Sequence, residues 1–372
     1  MVTNVSLTPM TQERLLDQYV PTLQAIKSWF QPDIPRYRQG KMIHIVLLRE
    51  TRSYAIFTTE GSVLDTERLQ AGITAQEPMS RVVMFKRKQV AAERRRGKEL
   101  LREYGVVPME DAAGEQEKGK KAKKETGRAA CRLMADVCGH CPDCMLYGFA
   151  AVKGEGSQRS RILTDSAWSV RDYPTIQKYI KLNAIDETVA GGIAGSAFSQ
   201  RDHMLPQVFL PCVETLVDVT ATELAYALGN IFRTTRYGAE SNREGFMKNH
   251  LLGIYCSDVE LFSNLDLTQL FYDAFIADTE IAKKLEQGYL AFADFESHTH
   301  SVLQQAQTGA MAVVEALSDQ QCSNVREQLN KLYGDATALH DLLETLYVQS
   351  QGYADRMKSE SAKKGQKSSE EE

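Results

Sequence analysis

The pattern of apolar and polar positions changes character along the chain, from alternating strand-like runs to helical periodicity. Residues 11–30 (TQERLLDQYVPTLQAIKSWF) carry apolar side chains at helical spacing. Pro21 interrupts them, so a helix or short helical pair is predicted. Pro32 and Pro35 then enforce an extended link. KMIHIVLLRE (41–50) is apolar almost throughout, the pattern of a strand at the centre of a sheet. YAIFTT (54–59) follows a charged turn and is placed to pair with it. A basic helix is predicted across 79–104, where Val83, Val90 and Leu101 are helix-spaced. SRILTDSAW (160–168) reads as a second strand, FLPCVETLVDV (209–219) as a third and HLLGIYCSDVEL (250–261) as a fourth. Thr220 and Glu223 form a T-x-x-E capping box that opens a second helix. The order strand, helix, strand, strand, helix, strand predicts an α+β fold with a ferredoxin-like or RRM-type core, enlarged by insertions.

From about residue 267 the chain reads as successive amphipathic helices, such as 332–348 with Leu339, Leu342, Leu343 and Leu346 on one side. The predicted organisation is an N-terminal helical segment (1–40), a palm in two pieces (41–109 and 160–261), and an insertion at 110–159 that carries a basic loop and a cysteine cluster. An acidic helical region (262–355) and a disordered tail (356–372) follow. Residues 110–128 hold no apolar side chain larger than alanine and read as a mobile loop. Residues 183–207 form a long excursion. Its Gly191, Gly192 and Gly195 let a finger of chain turn, and their spacing is not that of a phosphate-binding glycine loop.

Composition alone separates few possibilities: 43% hydrophobic and 25% charged residues over 372 positions describe an ordinary globular chain. No apolar run approaches the ~20 residues that span a bilayer, and the N-terminus has no basic-then-apolar leader. A cytoplasmic protein without membrane contact is expected. Charge distribution changes the picture more. Net charge is −5, but residues 258–350 carry 4 Lys/Arg against 15 Asp/Glu, and residues 1–257 sum to +6. That asymmetry suits a polyanion-binding body with an acidic accessory region, although solvated faces of both signs would give the same totals.

The densest chemistry lies at 131–150 (CRLMADVCGHCPDCMLYGFA). Cys138, Cys141 and Cys144 form two overlapping C-x2-C units, a spacing that lets a tight turn aim two sulfurs at one metal ion. Cys131 is the natural fourth ligand and His140 the reserve. A structural zinc site is expected. An iron–sulfur cluster, disulfides or a site that has lost its metal are the alternatives. Four filled positions leave none for a substrate water, so the site reads as a fold staple. Cys212, Cys256 and Cys322 sit in apolar surroundings and read as buried free thiols. No G-x-S-x-G elbow or nucleotide-binding motif is present.

Several of these pieces together resemble one family. CPDCMLYG (141–148) resembles the C-x2-C-x-L-F-G element of RAMP-superfamily CRISPR proteins. SRILTDSA (160–167) resembles the strand that follows it there, and NAIDETVAGG (183–192) the start of their thumb. The cysteine-rich insertion and acidic C-terminus most resemble the large backbone subunit (Cas-seven type) of type I-D Cascade surveillance complexes. The resemblance implies a subunit that polymerises head-to-tail along a CRISPR RNA while its thumb wedges between guide bases. The partners it implies are CRISPR RNA, the target DNA strand, further copies of the chain and other Cascade subunits. The implied phosphate contacts are Arg49, Arg52, Lys86, Lys88, Arg94, Arg95, Arg161, Arg201, His203, Arg233, Arg236 and Lys248, with Phe198 and Met204 as wedges. A non-catalytic scaffold is expected. RNA-cleaving relatives carry an aspartate after the first strand, and here only Asp65 stands there, in a poorly matching context. The alternatives are a nuclease of the same fold that cuts the paired target at regular intervals, and an unrelated zinc-ribbon RNA-binding protein.

Overall fold

The computed structural model describes residues 9–109, 128–132, 137–150, 157–186, 193–239 and 241–370, without the side chains of 182–199 and 360–370. Of the loop predicted at 110–128, only Arg128 falls among them.

Strand Met42–Thr51 is the axis of the fold. It pairs antiparallel with Phe209–Val217 on one side and Met247–Ser257 on the other. Ile162–Leu163 extends the sheet beyond the former and Val314–Ala316 beyond the latter. Taking the predicted core strands in chain order, the sheet therefore runs fourth, first, third, second. Both faces are covered, which is why the axial strand reads as an unbroken apolar run. Successive side chains point to opposite faces, so Ile43, Ile45 and Leu47 enter one core while Val46 and Leu48 enter the other. Helices Lys86–Glu103 and Ala221–Arg233 contribute to the first core, joined by Leu339, Leu342, Leu343 and Leu346 of the last helix. Helices Asn264–Ala277 and Phe292–Ala306 close the second, where Phe271, Phe275 and Phe295 meet at centroid separations of 5.8, 5.1 and 4.8 Å.

The capping box forms as predicted. Thr220 Oγ1 accepts from the Glu223 amide (3.2 Å) and Glu223 Oε2 accepts from the Thr220 amide (3.1 Å). The predicted N-terminal pair also forms, with its break at Val20 before Pro21.

Other expectations are corrected. Residues 78–84 are a strand, not the first turns of the basic helix. Pro78–Met84 pairs with Thr66–Gln70, buries Val82, Val83 and Met84, and is fastened by Arg81, whose guanidinium donates to the Ser169, Val170 and Ala71 carbonyls. Residues 54–59 form no strand beside the axial one. They make an isolated bridge, Ala55 to Met204, because the sheet edge they would need is already occupied by the two long neighbours. The strand predicted at 160–168 divides between two sheets, Ile162–Leu163 and Ala167–Trp168. The excursion is a hairpin, Gln177–Asp186 with Ile193–Met204, that starts earlier than predicted, and its tip, with Gly191 and Gly192, lies outside the described residues. The C-terminal region is not purely helical, since Val314–Ala316 joins the sheet. Leu332 is separated from the leucines after it by a helix break, where Asp335 Oδ1 accepts from the Thr337 and Ala338 amides (3.0 Å each). The last helix, Ala336–Glu370, continues through most of the predicted tail, whose Lys, Glu, Gln and Ala residues are good helix formers.

His44 gives the sheet a pH dependence. Its ring nitrogens lie 2.8 Å from Thr215 Oγ1 and 2.8 Å from Ser257 Oγ, and burial lowers its pKa to about 4. An unfolded imidazole titrates near ~6.5. Below that pH the unfolded chain gains a proton that the folded chain refuses, so stability is present above ~6.5 and falls toward pH 4, by about 3 kcal/mol for the full shift. Urea midpoints at pH 7 and 4.5 are expected to differ less for His44→Gln than for the wild type.

Candidate nucleic-acid interface and metal centre

The cysteine cluster is assembled by two turns. Gly139, at φ +69, turns the chain between Cys138 and Cys141, and Cys141 caps the short helix Pro142–Tyr147 that carries Cys144. Gly148 ends that helix at φ +79 in van der Waals contact with a neighbouring segment. A Cβ there would lie 2.6 Å from the Gln158 carbonyl oxygen and the Ser160 nitrogen, so only glycine fits. The sulfurs of Cys131, Cys138, Cys141 and Cys144 all lie within 4.8 Å of one another, with Cys131–Cys144 at 3.6 Å and Cys138–Cys144 at 3.9 Å. Sulfurs at tetrahedral corners about 2.3 Å from a zinc ion would be ~3.8 Å apart. The tetrad therefore fits a tetrahedral metal. Cys131 is the fourth member, while the His140 ring packs edge-on to Tyr347 at 6.0 Å.

Cationic side chains of the basic helix back the cluster. Lys98 Nζ donates to Cys131 Sγ (2.7 Å) and pairs with Asp143 (3.1 Å), and Arg94 pairs with Asp143 at 2.8 Å. Burial works against charge on Lys98, but Asp143 and the sulfurs of Cys141 and Cys131 outweigh it and raise its pKa. Hydrogen bonds from Cys138, Cys141 and Cys144 hold the Cys131 thiol well below its usual range.

This placement corrects the role expected of Arg94, which faces Asp143 instead of solvent. Arg49 is corrected as well. It is fully buried, 2.8 Å from both Glu93 and Glu214, with Tyr237 Oη and Asn249 Oδ1 at 2.9 Å. Arg161 is buried against Glu223 and donates to the Met145 and Asp218 carbonyls, tying the cysteine turn to the capped helix. His203 is buried between Glu244 (3.0 Å) and the Arg201 carbonyl (2.9 Å). Met204 is buried in the core, too deep to wedge anything. The Phe198 side chain lies outside the described residues. Arg52 stays half exposed while pairing with Glu50 at 2.7 Å, Lys86 and Lys248 are exposed, and Lys88 and Arg201 are half-buried.

Three of the predicted residues come together. Arg95, Arg233 and Arg236 line one open groove of about 440 Å³ between the basic helix and the loop after Ala221–Arg233. Arg96, Thr234 and Thr235 line it too. Glu99, the one acid among its described lining residues, is paired with Arg96 at 3.0 Å. Aromatic faces hold two of the guanidiniums: Arg233 lies 5.5 Å from the Tyr333 ring and Arg236 lies 5.4 Å from Phe246. Beyond Phe246 the packing continues to the base of the hairpin, outside the groove lining. Gly245 donates to the Tyr54 carbonyl (2.7 Å), the Tyr54 ring meets His203 edge-on at 6.2 Å, and Lys178 lies over Tyr54 at 5.6 Å. Sequence reading missed Arg96, Lys178 and Tyr54. Arg96 adjoins a predicted contact and was within reach, whereas the other two are placed only by tertiary structure.

Among the described residues no helix is long and apolar enough to cross a membrane. No curated protein matches the chain. A crystal structure of Csc2 from Thermofilum pendens is similar at a TM-score of 0.49 and 17% identity, covering 88% of this chain and 96% of that one. A chain described as a CRISPR RNA-guided surveillance complex is similar at 0.42 and 10%, covering 74% and 90%. The family model for Csc2 CRISPR proteins matches residues 29–343, most of the length. The chain belongs to the Csc2 CRISPR family.

Proposed function

We propose that this chain is a CRISPR RNA-binding backbone subunit of a type I-D Cascade. The observation that carries the reading is the gathering of Arg95, Arg96, Arg233 and Arg236 in one groove of a chain whose residues 29–343 match the Csc2 family. Guanidiniums held on aromatic faces, with little competing acid, suit a run of phosphates and carry no base-reading geometry. Sequence is then left to pairing between guide and target DNA strand, and the protein reads backbone. Copies polymerise head-to-tail along the guide, with the remaining exposed or half-exposed basic residues, Arg52, Lys86, Lys88, Arg201 and Lys248, as further contacts. The hairpin Gln177–Asp186 with Ile193–Met204 is the thumb, and Phe198 is its wedge. The sheet order and the two helices on one face support an RRM-type palm. The complex works in the cytoplasm with other Cascade subunits.

The subunit is a scaffold. Asp65 Oδ2 accepts from the Thr59 amide at 2.8 Å and closes a turn, a structural use of its carboxylate. Binding is expected to ignore sequence, so RNAs of equal length and scrambled sequence should compete equally at fixed salt. A preference above about tenfold for one sequence would favour the zinc-ribbon alternative instead.

Zinc at the cysteine tetrad staples the insertion to the palm. Metal analysis is expected to find about one zinc per chain. Cys131→Ser should lose it and lower the unfolding temperature, whereas His140→Ala should do neither. Metal loss from the His140 variant alone would reverse the ligand assignment.

A further inference from the structure

Helix Lys86–Glu103 and the loop that carries Arg236 form the groove, and one buried cluster fastens both to the sheet. Glu93 comes from the helix and Tyr237 from the loop, while Arg49, Glu214 and Asn249 come from the three central strands. The side chains of Arg49, Glu93 and Glu214 are closed to solvent. Arg49 lies 2.8 Å from each acid, and among the described residues it is the one cation paired with either.

Two features of the acids do not fit full ionisation. The first is charge. Two carboxylates and one guanidinium leave −1 where water does not reach, and a buried carboxyl group in that position takes up a proton. The second is hydrogen bonding. Glu93 and Glu214 are in hydrogen-bond contact with each other, yet ionised carboxylates can only accept. Each also keeps a buried oxygen, Oε2, that meets no donor among the described residues. One proton between the two acids resolves both features, since it makes one acid the donor and the other the acceptor and brings the cluster to zero charge. The groups around the pair offer no other remedy. Burial pushes the Cys212 thiol up to about 12 and the Tyr147 and Tyr237 hydroxyls well above their usual range, so all three stay neutral. Burial and Glu93 push Glu214 up as well, against the pull of Arg49.

We propose that Glu93 and Glu214 share one proton at neutral pH, a buried proton site beneath the groove whose contribution to stability is lost as pH rises. The unfolded chain releases that proton near ~4.3, the ordinary value for glutamate. Above that pH the folded chain holds a proton that the unfolded chain lacks. The contribution is therefore complete below ~4.3 and falls on the alkaline side, about tenfold in the unfolding constant for each pH unit. This is the opposite sense to His44.

The test uses the full chain and Glu214→Gln, which keeps the shape and a donor toward Glu93 but has no proton to lose. Urea unfolding of both proteins between about pH 5.5 and 8 gives the ratio of their unfolding constants, wild type over variant. That ratio is expected to rise about tenfold per pH unit, whatever its value at the acid end. Glu93→Gln should behave alike, because the proton belongs to the pair. A ratio that stays constant across the range would overturn the shared proton. Infrared spectroscopy of the wild type needs no variant to fold. With carbon-13 in its glutamate side chains, the protein at pH 8 should show the carbonyl stretch of a neutral carboxylic acid. Absence of that band would overturn the proposal as well.

Discussion

Arg49→Met will destabilise the fold by about 3–5 kcal/mol while leaving the RNA affinity of the folded fraction unchanged. Arg49 stands where the family resemblance implied a phosphate contact, but it lies inside the axial strand and none of its side chain reaches solvent. Its guanidinium joins Glu93 of the basic helix, Glu214 of the neighbouring strand, Tyr237 of the groove loop and Asn249 of the next strand. Burial works against its charge, but Cys212, Glu93, Tyr237 and Glu214 outweigh that and raise its pKa. Burial and the nearby Glu93 push Glu214 well up, so the cation is what keeps two carboxyl groups tolerable in one apolar interior. Methionine fills similar volume but takes the cation from both acids, leaving Glu93 only the Tyr237 hydroxyl (2.9 Å) and Glu214 without the Arg49 donor. Adding Glu93→Gln and Glu214→Gln should return part of the loss, because the cost lies in the orphaned acids and not in the missing attraction. Urea unfolding of the variants checks this, and RNA titration at a urea concentration where all remain folded checks the second half. A stable Arg49→Met protein that no longer binds RNA would restore the surface role.

The second large effect is expected at the groove. Replacing Arg95, Arg96, Arg233 and Arg236 with glutamine should flatten the dependence of log affinity on log salt. The expected change is about 0.7 for each single-strand phosphate that is no longer neutralised, or almost 3 for the set. At low salt this is several orders of magnitude in affinity. Stability should move far less than for Arg49→Met, since Arg95 and Arg236 are exposed and Arg96 and Arg233 only half-buried. Filter binding from 50 to 300 mM salt reads the slope. An unchanged slope would place the phosphate track elsewhere on the molecule.

What the sequence made legible was local. The axial strand announced itself because both of its faces are buried, leaving no polar alternation. The capping box and the cysteine tetrad depend on spacings of a few residues, and both form as read. What it hid was set by partners far along the chain. Nothing near Arg49 or Arg161 reveals that their glutamates lie 165 and 62 residues away, and a basic residue looks the same in sequence whether it meets a phosphate or a buried acid. His203 and Met204 were obscured in the same way, since the hairpin base is pinned by Ala55 and Glu244. Pro78–Met84 failed for a different reason. A short apolar run next to a strongly helical segment fits either period, and only its pairing with Thr66–Gln70 decides it. The groove itself needed tertiary structure, because it brings residue 95 beside residue 236.

The central claim is that copies of this chain line up along RNA. Sedimentation of the zinc-loaded protein with single-stranded RNAs of increasing length tests it most directly. Bound copies are expected to rise in steps, one for each fixed increment of nucleotides, whatever the sequence. A single copy on every RNA, or no complex at any length, would contradict it.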